Sequence, residues 1–572
     1  MKSWLRDKIE EFYPNIDFDI LIPPSFASPS HKASEGKLDL GDYSVNLAFV
    51  LVKKEKKNPK EVGEELVAKF SKDKEFQKRF SKIELAGGGF INFYLKDDYV
   101  RERLVEISKE KDFGYNDEMK GKTVMVEYTD PNPFKLFHIG HLMSNTIGEA
   151  IARLYEASGA KVWRVNYQGD VGLHVAKTIW GMNSLPGSKD GVNYAPSEED
   201  SLGKKVGYLG EMYAKGSWAY SSFKEEIEKI NQKIYDRSDS KINKLYDLGK
   251  KWSLEYFEET YKRLGTKFDH YFFESETGPN GLSIINQNKK IFTESEGALI
   301  FKGEDYGVHS RVFINSKGLP TYEAKELGLN KEKFDKYNPD LSIIITGNEI
   351  NDYFKVLLKV MELVMPEVAQ KTRHIGHGML RLSTGKMSSR TGDVVTADSL
   401  IKQTKERLPE SEDNIKEKIA IGAIKYSILK QSPGHDIIFD FEKSLSVKGD
   451  SAPYIQYTYA RLNSIVNKAD SYKTLKTIKP EYLNEAVELS LIKNILKFTD
   501  VIQESGQELA PQQVALYIYE LAVAANRFYE EVRVLKDDNE ERRNARLMLV
   551  ETTAEVLKRG LNLLGIEVLE RI

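Results

Sequence analysis

The order of hydrophobic and polar positions predicts a strand, a helix and a second strand in succession. Residues 123–128 (TVMVEY) alternate as a strand does, and 139–157 carry apolar residues at helical spacing before Gly159. Residues 162–167 (VWRVNY) again have the pattern of a strand. A strand–helix–strand unit of this kind is the core of a doubly wound parallel sheet, so we expect an α/β fold of the Rossmann type.

The first hundred residues mix helical and strand patterns. Two helices broken near Asn58–Pro59 are expected over 47–70, and GGGFINFYL (87–95) predicts a glycine-rich turn into a strand. Charged residues crowd 97–120, which indicates a domain boundary. Segment 53–82 carries 11 Lys and Arg against 6 Asp and Glu. Charge alone favours a solvated helix face there over a nucleic-acid-binding face.

Downstream of the central unit the pattern is first mixed and then helical. Residues 185–290 are expected to form a mostly helical insertion, and strands return at 299–314 and 341–346. The chain beyond about residue 400 is expected to be helical to its end. One apolar stripe in that region comprises Val514, Tyr517, Ile518, Leu521, Ala522, Ala525 and Phe528.

Composition excludes several protein classes. The 572 residues suggest about four domains, and 40% apolar with 30% charged residues excludes a wholly disordered chain. Without cysteine, no disulfide, thiolate zinc site or cysteine nucleophile is possible. A net charge of -3 argues against non-specific coating of nucleic acid. No apolar run approaches the roughly 20 residues of a membrane helix, and the charged start is unlike a signal peptide. We therefore expect a soluble, cytoplasmic protein without membrane contact.

The residues with the clearest chemistry lie between the first central strand and its helix. His138-Ile139-Gly140-His141 would stand at a helix N-terminus beside the carboxyl end of a strand, where phosphates bind. Two histidines there can donate hydrogen bonds to phosphate oxygens, and Gly140 permits close approach of a nucleotide. The same four letters recur at 374–377, where no helical pattern follows. We expect that second copy to be a strand and loop flanking the nucleotide.

A second motif, Lys386-Met387-Ser388-Ser389-Arg390, is followed by Thr391-Gly392. A loop of this composition can close over a triphosphate, and its cations would offset the charge of departing pyrophosphate. Taken alone, a solvated basic turn would be the preferred interpretation.

Together the two motifs resemble the "HIGH" and "KMSKS" sequences of class I aminoacyl-tRNA synthetases. The surrounding text narrows the resemblance to the arginyl-tRNA synthetase family. Similar segments occur in the family's order over nearly the whole chain. They are LGDYSVNLAFVL, GGGFINFYL, VEYTDPNPFKLFHIGHL, NYQGDVGLH, PTYEAKELGL, FDFEKSLSVKGDSAPYIQYTYARLNSI and the C-terminal ELAVAANRFYEEVRVL with RLMLVETTAEVLKRGLNLLGIEVLERI.

The resemblance implies an arginine–tRNA ligase. Arginine carboxylate would attack the α-phosphate of ATP, releasing pyrophosphate, and the terminal adenosine of tRNA would then take the arginyl group. It implies ATP with Mg²⁺, no tightly bound metal or organic cofactor, and a monomer. The implied domains are a tRNA D-arm domain (1–100), a class I Rossmann catalytic domain (118–400) with the helical insertion, a connecting region (400–450) and a helical anticodon-binding domain (450–572).

The resemblance also implies site residues. Those expected at ATP are His138, Gly140, His141, Gly378, Met379, Lys386, Ser388, Ser389 and Arg390. The second lysine of the "KMSKS" loop is replaced by Ser389, so Lys135 or Arg390 is expected to compensate, Lys135 being preferred. With His138, His141 and Lys386, Lys135 completes the expected catalytic set. Those expected at arginine are Glu127, Asn132, Tyr322, Glu326, Asp170 and His174.

Two departures bear on the arginine pocket, because the family often has Asp at position 326 and Ser at position 130. A pocket of carboxylates and a phenol suits a planar guanidinium with five donors. The residues expected to contact tRNA are Phe90, Asn92, Tyr94, Tyr454, Gln456, Tyr457, Arg461, Phe528 and Tyr529. For the aromatic residues Tyr454, Tyr457, Phe528 and Tyr529, a place in the helix core is the competing interpretation.

Three other functions remain open at this point. One is another HxGH nucleotidyltransferase, such as a small-molecule adenylyl- or cytidylyltransferase, which would not need the long helical C-terminal part. A second is a non-catalytic, synthetase-like tRNA-binding protein, for which Ser389 leaves room. The third is a synthetase for glutamate, glutamine or lysine, of which lysine is the only serious competitor on charge.

Overall fold

A computed structural model describes residues 1–23, 41–184, 195–383, 395–469 and 478–571 of the chain. These residues form two compact units. One consists of Met1–Asn116 together with Lys443–Ile572, and the other of Asp117–Glu442.

The N-terminal part of the first unit packs helices around a small antiparallel sheet. Its elements are α1 (Lys2–Phe12), β1 (Ile20–Leu21), β2 (Tyr43–Val45), α2 (Leu47–Glu55), α3 (Pro59–Phe70), α4 (Lys74–Arg79), β3 (Phe80–Ala86), β4 (Phe90–Leu95) and α5 (Asp97–Ile107). The strand order is β1-β2-β4-β3. The predicted break between two helices is confirmed, since the Asn58 side chain accepts the Glu61 N–H at 2.9 Å and Pro59 begins α3.

The second unit contains the sheet that positions the candidate site. Its elements up to the middle of the unit are β5 (Thr123–Glu127), α6 (Ile139–Ala157), β6 (Lys161–Gln168), α7 (Leu173–Ser184), α8 (Leu202–Ala219), α9 (Lys224–Asp236), α10 (Ser240–Arg263), β7 (His270–Phe273) and α11 (Glu274–Gln287). They are followed by β8 (Thr293–Ser295), β9 (Ala298–Phe301), β10 (Arg311–Ile314), α12 (Tyr322–Tyr337), β11 (Leu341–Gly347), α13 (Asn351–Val364), α14 (Pro366–Gln370), β12 (Thr372–His377), β13 (Leu380–Leu382), α15 (Ala397–Lys405), α16 (Asp413–Leu429), β14 (Ile437–Phe439) and α17 (Phe441–Leu445).

The main sheet is parallel throughout and has the order β12-β11-β5-β6-β7. The predicted doubly wound fold is therefore confirmed. From β5 the chain moves outward through β6 to β7 and later returns to the other side of β5 as β11 and β12. The order thus reverses beside β5, and ligands in open α/β sheets bind at the carboxyl ends of strands at such a point.

Two predictions of local structure need correction. The stretch expected to be a helical insertion also supplies β7, the fifth strand of the main sheet. The stretch beyond residue 400 is not wholly helical, because β14 pairs in parallel with β13. The strands β7 and β14 are short, and their hydrophobic patterns do not differ from those of buried helix segments of the same length.

The C-terminal part of the first unit is helical. It contains α18 (Ala452–Ala469), α19 (Ala486–Leu496), α20 (Phe498–Gln507), α21 (Pro511–Glu531) and α22 (Glu540–Leu563). The predicted apolar stripe on α21 is confirmed, because all seven of its side chains are buried.

Candidate active site

The loop between β5 and α6 lies at the point where the strand order reverses. Its backbone is unusual, since Thr129, Asp130 and Phe134 have positive φ angles of 80°, 44° and 68°. Non-glycine residues rarely adopt this conformation, and clusters of them occur where a site demands a particular backbone path. Asp tolerates it best, and the Asp130 Oδ1 accepts the Tyr167 N–H at 2.8 Å. The Asp130 carboxylate therefore joins the loop to β6 through the main chain.

Neighbouring elements hold this loop in place. Ser144 of α6 accepts the Thr129 N–H at 2.9 Å and donates to the Ile345 carbonyl of β11 at 2.8 Å. The Phe134 N–H donates to the Ser253 Oγ of α10 at 2.9 Å. The strained backbone is therefore fixed from three sides before any substrate binds.

The two histidines of the first motif cap α6. The Nδ1 of His138 accepts the N–H groups of Gly140 at 3.1 Å and of His141 at 3.4 Å, while the Nδ1 of His141 accepts the His138 N–H at 3.2 Å. The rings stack with centroids 3.5 Å apart. Because both Nδ1 atoms accept hydrogen bonds, a neutral ring carries its proton on Nε2. The helix N-terminus thus presents two N–H donors to an anion.

The histidines are held in their neutral form. Burial, assisted by the Lys135 charge, lowers the pKa of His138 to about 4, and burial lowers the pKa of His141 well below its ordinary value. Gly140 has a packing reason as well, because a Cβ there would lie 3.0 Å from the His138 ring. At physiological pH the pair therefore acts as hydrogen-bond donors and not as cations.

Lys135 supplies the positive charge that the neutral histidines lack. It is half-buried, its Nζ lies 5.6 Å from the centroid of the Tyr213 ring, and its charge lowers the pKa of His138, His141 and His174. The structure therefore brings Lys135 together with the histidines, as the sequence predicted.

The second copy of the motif is part of β12, as predicted, and not a helix start. The Nε2 of His374 pairs with the Thr346 Oγ1 at 2.7 Å, and its ring stacks on Phe354 at 3.8 Å. A positive charge on His377 would lower the pKa of His138 and of His141, so His377 also lies near the first motif. The sequence predicts a place beside the nucleotide for the second copy as a whole but no separate role for His377.

The predicted "KMSKS"-like residues Lys386, Ser388, Ser389 and Arg390 lie outside the described residues. The first described residue after them, Val395, accepts the Ile139 N–H at 3.1 Å, and Thr396 pairs with His138. The described chain that follows the motif is therefore bonded to the start of α6 at His138 and Ile139.

Gly378 and Met379 follow β12 and contact the segment before β14. A Cβ at Gly378 would lie 2.2 Å from the His435 carbonyl oxygen, so close packing requires glycine there. The Met379 N–H donates to Asp436 Oδ1 at 2.9 Å, and its carbonyl accepts the Ile437 N–H at 2.7 Å. The approach of Gly378 and Met379 to adenine through backbone atoms stays a prediction, in which the Met379 N–H and carbonyl are already bonded to the segment before β14.

Two predicted arginine-binding carboxylates lie together beneath the carboxyl end of β5. Glu127 is 1% exposed and forms an ion pair with Lys333 of α12, which is fully buried. Glu326, two turns earlier on the same face of α12, is also buried, and its Oε2 has no hydrogen-bond partner within the described part of the chain. Burial and the charge of Glu127 raise the pKa of Glu326 to about 8.

A second ion pair lies nearby and was not predicted. Glu274, the first residue after β7, accepts from Lys325 of α12 at 2.6 Å, and both side chains are buried. Asn132 borders this pair, because a Cβ at Gly169 would lie 2.3 Å from its Oδ1 and 3.0 Å from the Glu274 Oε1. Tyr322 is 63% exposed, with the Lys325 Nζ 5.3 Å from its ring centroid. The sequence offered no signal for Glu274, because the strand that precedes it lies in a stretch expected to be helical.

Asp170 was predicted to bind arginine, and the structure assigns it a different role. Its fully buried carboxylate accepts hydrogen bonds from Tyr246, Lys250 and both the N–H and Oγ of Ser275, all at 2.7–3.0 Å. Burial alone would raise the pKa of Asp170, but Lys250 and these donors hold it below its ordinary value. With four hydrogen bonds from α10 and α11 and no exposed surface, the Asp170 carboxylate joins these two helices inside the protein.

His174 also bonds within the chain. Its Nε2 pairs with the Gly169 carbonyl at 2.9 Å, and burial with the Lys135 charge lowers its pKa to about 3. The ring is therefore a neutral donor to the main chain, and its Nδ1 lies toward Gly172.

In the first unit, the predicted tRNA contacts on β4 differ in exposure. Phe90 and Tyr94 are half-buried, with Phe90 edge-on to the exposed Phe49 at 5.1 Å. Asn92 is fully buried and accepts the Ser44 hydroxyl at 2.8 Å. The prediction of Asn92 as an accessible contact is therefore wrong in this structure, because cross-strand bonding holds its side chain inside the sheet.

The predicted contacts in the helical part divide into core and surface residues. Gln456 is fully buried and donates to the Glu567 carbonyl at 2.7 Å, and Phe528 is fully buried. Both predictions are wrong, since core packing accounts for these residues. Tyr457 and Tyr529 are 37% and 43% exposed, and the Arg461 guanidinium lies 4.7 Å and 4.8 Å from their ring centroids.

This Tyr457–Arg461–Tyr529 platform is a stacking surface of the kind that binds unpaired bases. Tyr454 is half-buried beside Tyr519, with ring centroids 5.9 Å apart.

Within the described residues, no helix is both long and apolar enough to cross a bilayer, and no cluster of three His, Asp or Glu side chains is arranged to hold a metal ion.

Comparison with known families accounts for the three regions of the chain. The model of the class I (R) tRNA synthetase catalytic domain matches residues 104–441. The arginyl tRNA synthetase N-terminal domain matches 8–95, and the DALR anticodon binding domain matches 455–572. The chain belongs to the arginyl-tRNA synthetase family.

Individual arginyl-tRNA synthetases agree with this assignment. The arginine–tRNA ligase of Clostridium acetobutylicum is 30% identical over 94% of this chain and 95% of its own length. That of Clostridium kluyveri is 32% identical over 98% and 99%. The solved arginyl-tRNA synthetase of Thermus thermophilus is 22% identical with a TM-score of 0.80, covering 100% of this chain and 99% of that one. The last comparison shows the shared fold.

Proposed function

We propose that this chain is an arginine–tRNA ligase that works through the residues assembled at the carboxyl ends of β5, β6 and β11. It uses ATP to activate L-arginine and transfers the arginyl group to tRNA. Two observations together support this proposal. The class I (R) synthetase catalytic-domain model matches residues 104–441, and two histidine N–H donors lie side by side at the N-terminus of α6. The other HxGH nucleotidyltransferases are disfavoured, because the chain also carries an anticodon-binding domain.

The first step is attack of the arginine carboxylate on the α-phosphate of ATP, with breakage of the bond to pyrophosphate. The Nε2–H groups of His138 and His141 donate to the phosphate oxygens on which charge develops, and Lys135 adds a positive charge on the same side. Donors fixed by a helix cap need no reorganisation as the charge grows. Mg²⁺ enters with ATP, whose phosphates supply the oxygen ligands that it prefers.

Arginine is held by its guanidinium in the buried carboxylate pocket. Glu326 offers an oxygen without a partner, and Tyr322 lies at the exposed end. Asn132 lies close enough to Glu274 for both side chains to bind the α-amino group of the substrate arginine. Lysine cannot fill both arms of the guanidinium fork, so its binding would leave buried polar groups unpaired.

The remaining regions serve tRNA. We propose that the segment 1–100 binds the D-arm, that 400–450 connects the catalytic part (118–400) to the helical part, and that 450–572 binds the anticodon. The enzyme is proposed to act as a cytoplasmic monomer.

Pyrophosphate exchange tests the function directly. Pyrophosphate exchange should occur with arginine and not with lysine, glutamate or glutamine. Each amino acid is assayed twice, once with total tRNA and once without it. A requirement for tRNA would support the order of events typical of the family. Exchange with lysine in preference to arginine would reject the substrate, and absence of exchange with all four amino acids would favour the non-catalytic tRNA-binding alternative.

Lys135→Ala should slow arginine-dependent exchange about 10- to 30-fold, because a charged hydrogen bond to phosphate contributes about 1.5–2 kcal/mol. Lys135→Arg should retain most of the activity, since it keeps the charge. Binding of tRNA, measured by filter retention, should be unchanged in both variants. An exchange rate equal to wild type in Lys135→Ala would mean that Lys135 does not replace the missing loop lysine.

Arg461→Ala should raise the KM for tRNA about 5- to 10-fold without changing arginine-dependent exchange at saturating tRNA. The guanidinium lies between two exposed tyrosine rings, and stacking of one base contributes about 1–3 kcal/mol. Arg527→Ala is the matched control, since Arg527 lies on α21 and bonds only to the exposed Glu531 among the contacts described. Equal effects of the two variants would show a loss of general charge only.

A further inference from the structure

Lys333 is a fully buried charge at the candidate site. Its side chain has no exposure, and its ammonium forms an ion pair with Glu127, whose side chain is 1% exposed. A buried ammonium is stable only with a partner, since removal from water costs several kcal/mol. No motif of the sequence analysis included Lys333, although Glu326, Asn330 and Lys333 have the spacing of one helix face.

The charge balance of the pocket depends on this lysine. Glu127 and Lys333 together are neutral, because they are in ion-pair contact although no hydrogen bond joins them. Glu326, on the same helix face as Lys333, is a second buried carboxyl, and its Oε2 has neither an ion-pair nor a hydrogen-bond partner within the described residues. When Glu326 is ionised, as it is beside a bound guanidinium, the three groups carry one net negative charge, which matches that of one cation. Without Lys333, two adjacent carboxylates would compete for the same cation.

We propose that Lys333 is a positioning residue that neutralises Glu127, so that Glu326 alone receives the guanidinium of arginine. This inference rests on the proposed function of the site. It assigns Glu127 an indirect role, in which its carboxylate fixes Lys333 and does not contact the substrate. The position of the guanidinium in turn sets the position of the arginine carboxylate that attacks ATP.

Three variants test the proposal through opposite kinetic signatures. Glu127→Gln leaves the Lys333 charge without a partner, so repulsion should raise the arginine KM about tenfold or more. Lys333→Met leaves two carboxylates to share the guanidinium, so misplacement should lower kcat about tenfold while the arginine KM does not rise. The double variant Glu127→Gln/Lys333→Met removes both charges and should return kcat and KM to within about threefold of wild type.

The double variant should also fold well, because replacement of a buried ion pair by uncharged groups is often neutral or stabilising. Met125 on the strand of Glu127 and Leu329 on the helix of Lys333 belong to one buried apolar cluster, so an apolar side chain suits these two elements. Lys425→Met is the matched control for a buried lysine. Lys425 is 1% exposed and donates to the Leu264 carbonyl at 2.5 Å, so its loss should leave the arginine KM unchanged.

The outcomes separate the inference from the function on which it rests. If the wild type charges tRNA with arginine and the double variant recovers kcat and KM, both the inference and the proposed function are supported. If the wild type charges tRNA but the double variant is no better than Glu127→Gln, Glu127 contacts arginine directly and the inference is overturned. If the wild type does not use arginine at all, the proposed function itself fails.

Discussion

Replacing either motif histidine by asparagine should lower kcat for arginine-dependent pyrophosphate exchange by about 10²–10³-fold, the effect typical of removing one preorganised donor to a developing oxyanion. Asparagine is the informative substitution, because its amide oxygen can still accept the main-chain N–H groups that Nδ1 accepts now and it caps helices well. The loss would then report the missing Nε2–H donor and not an unwound helix. The ATP KM should change much less than kcat.

The second copy of the motif provides the control. His374→Asn removes an imidazole from an identical four-residue sequence. In the wild type, the Nε2 of His374 is bonded to Thr346 and its ring stacks on Phe354, so it is not a donor at the helix cap. The exchange rate of His374→Asn should stay within about threefold of wild type. Since burial lowers the pKa of His138 to about 4, the wild-type rate should also show no step near pH 6.5 from this histidine. Equal losses in His374→Asn and His138→Asn would contradict a donor role specific to the first copy.

The sequence allowed the position of these histidines to be predicted because the necessary information is local. A strand, a loop and a helix follow one another within a short stretch, and the helix cap is made by residues of the motif itself. The same holds for the apolar stripe of α21, whose spacing alone placed Phe528 in the core. That stripe was the available signal against Phe528 as a tRNA contact.

The errors and omissions concern contacts between segments distant in the chain. Asp170 stands in a motif typical of the family, but its hydrogen-bond donors come from α10 and from the start of α11. Lys333 faces Glu127 only because α12 packs on β5 and β6. Periodicity indicates which residues share a helix face, as Glu326 and Lys333 do, but it does not indicate which strand that face will meet.

Glu326→Gln should raise the arginine KM about 10- to 150-fold, since a charged hydrogen bond contributes about 1.5–3 kcal/mol, and it should leave the ATP KM unchanged. The substitution keeps the shape of the side chain and removes its charge. Glu323→Gln is the matched control, because Glu323 lies on the same helix and pairs with Arg311. A control variant with a similarly raised arginine KM would show that α12 is generally sensitive and that Glu326 has no special role.

The same carboxyl group should make arginine binding depend on pH. Burial and Glu127 raise the pKa of Glu326 to about 8, so in the free enzyme this carboxyl is mostly protonated at pH 7. The guanidinium binds the ionised form, and arginine must therefore displace a proton. The arginine Kd should fall about eightfold from pH 7 to pH 8.5 in the wild type, as ionisation proceeds through this pKa. Calorimetric titrations should show this fall and a released proton, and both should be absent in Glu326→Gln; a pH-independent Kd in the wild type would place the guanidinium elsewhere.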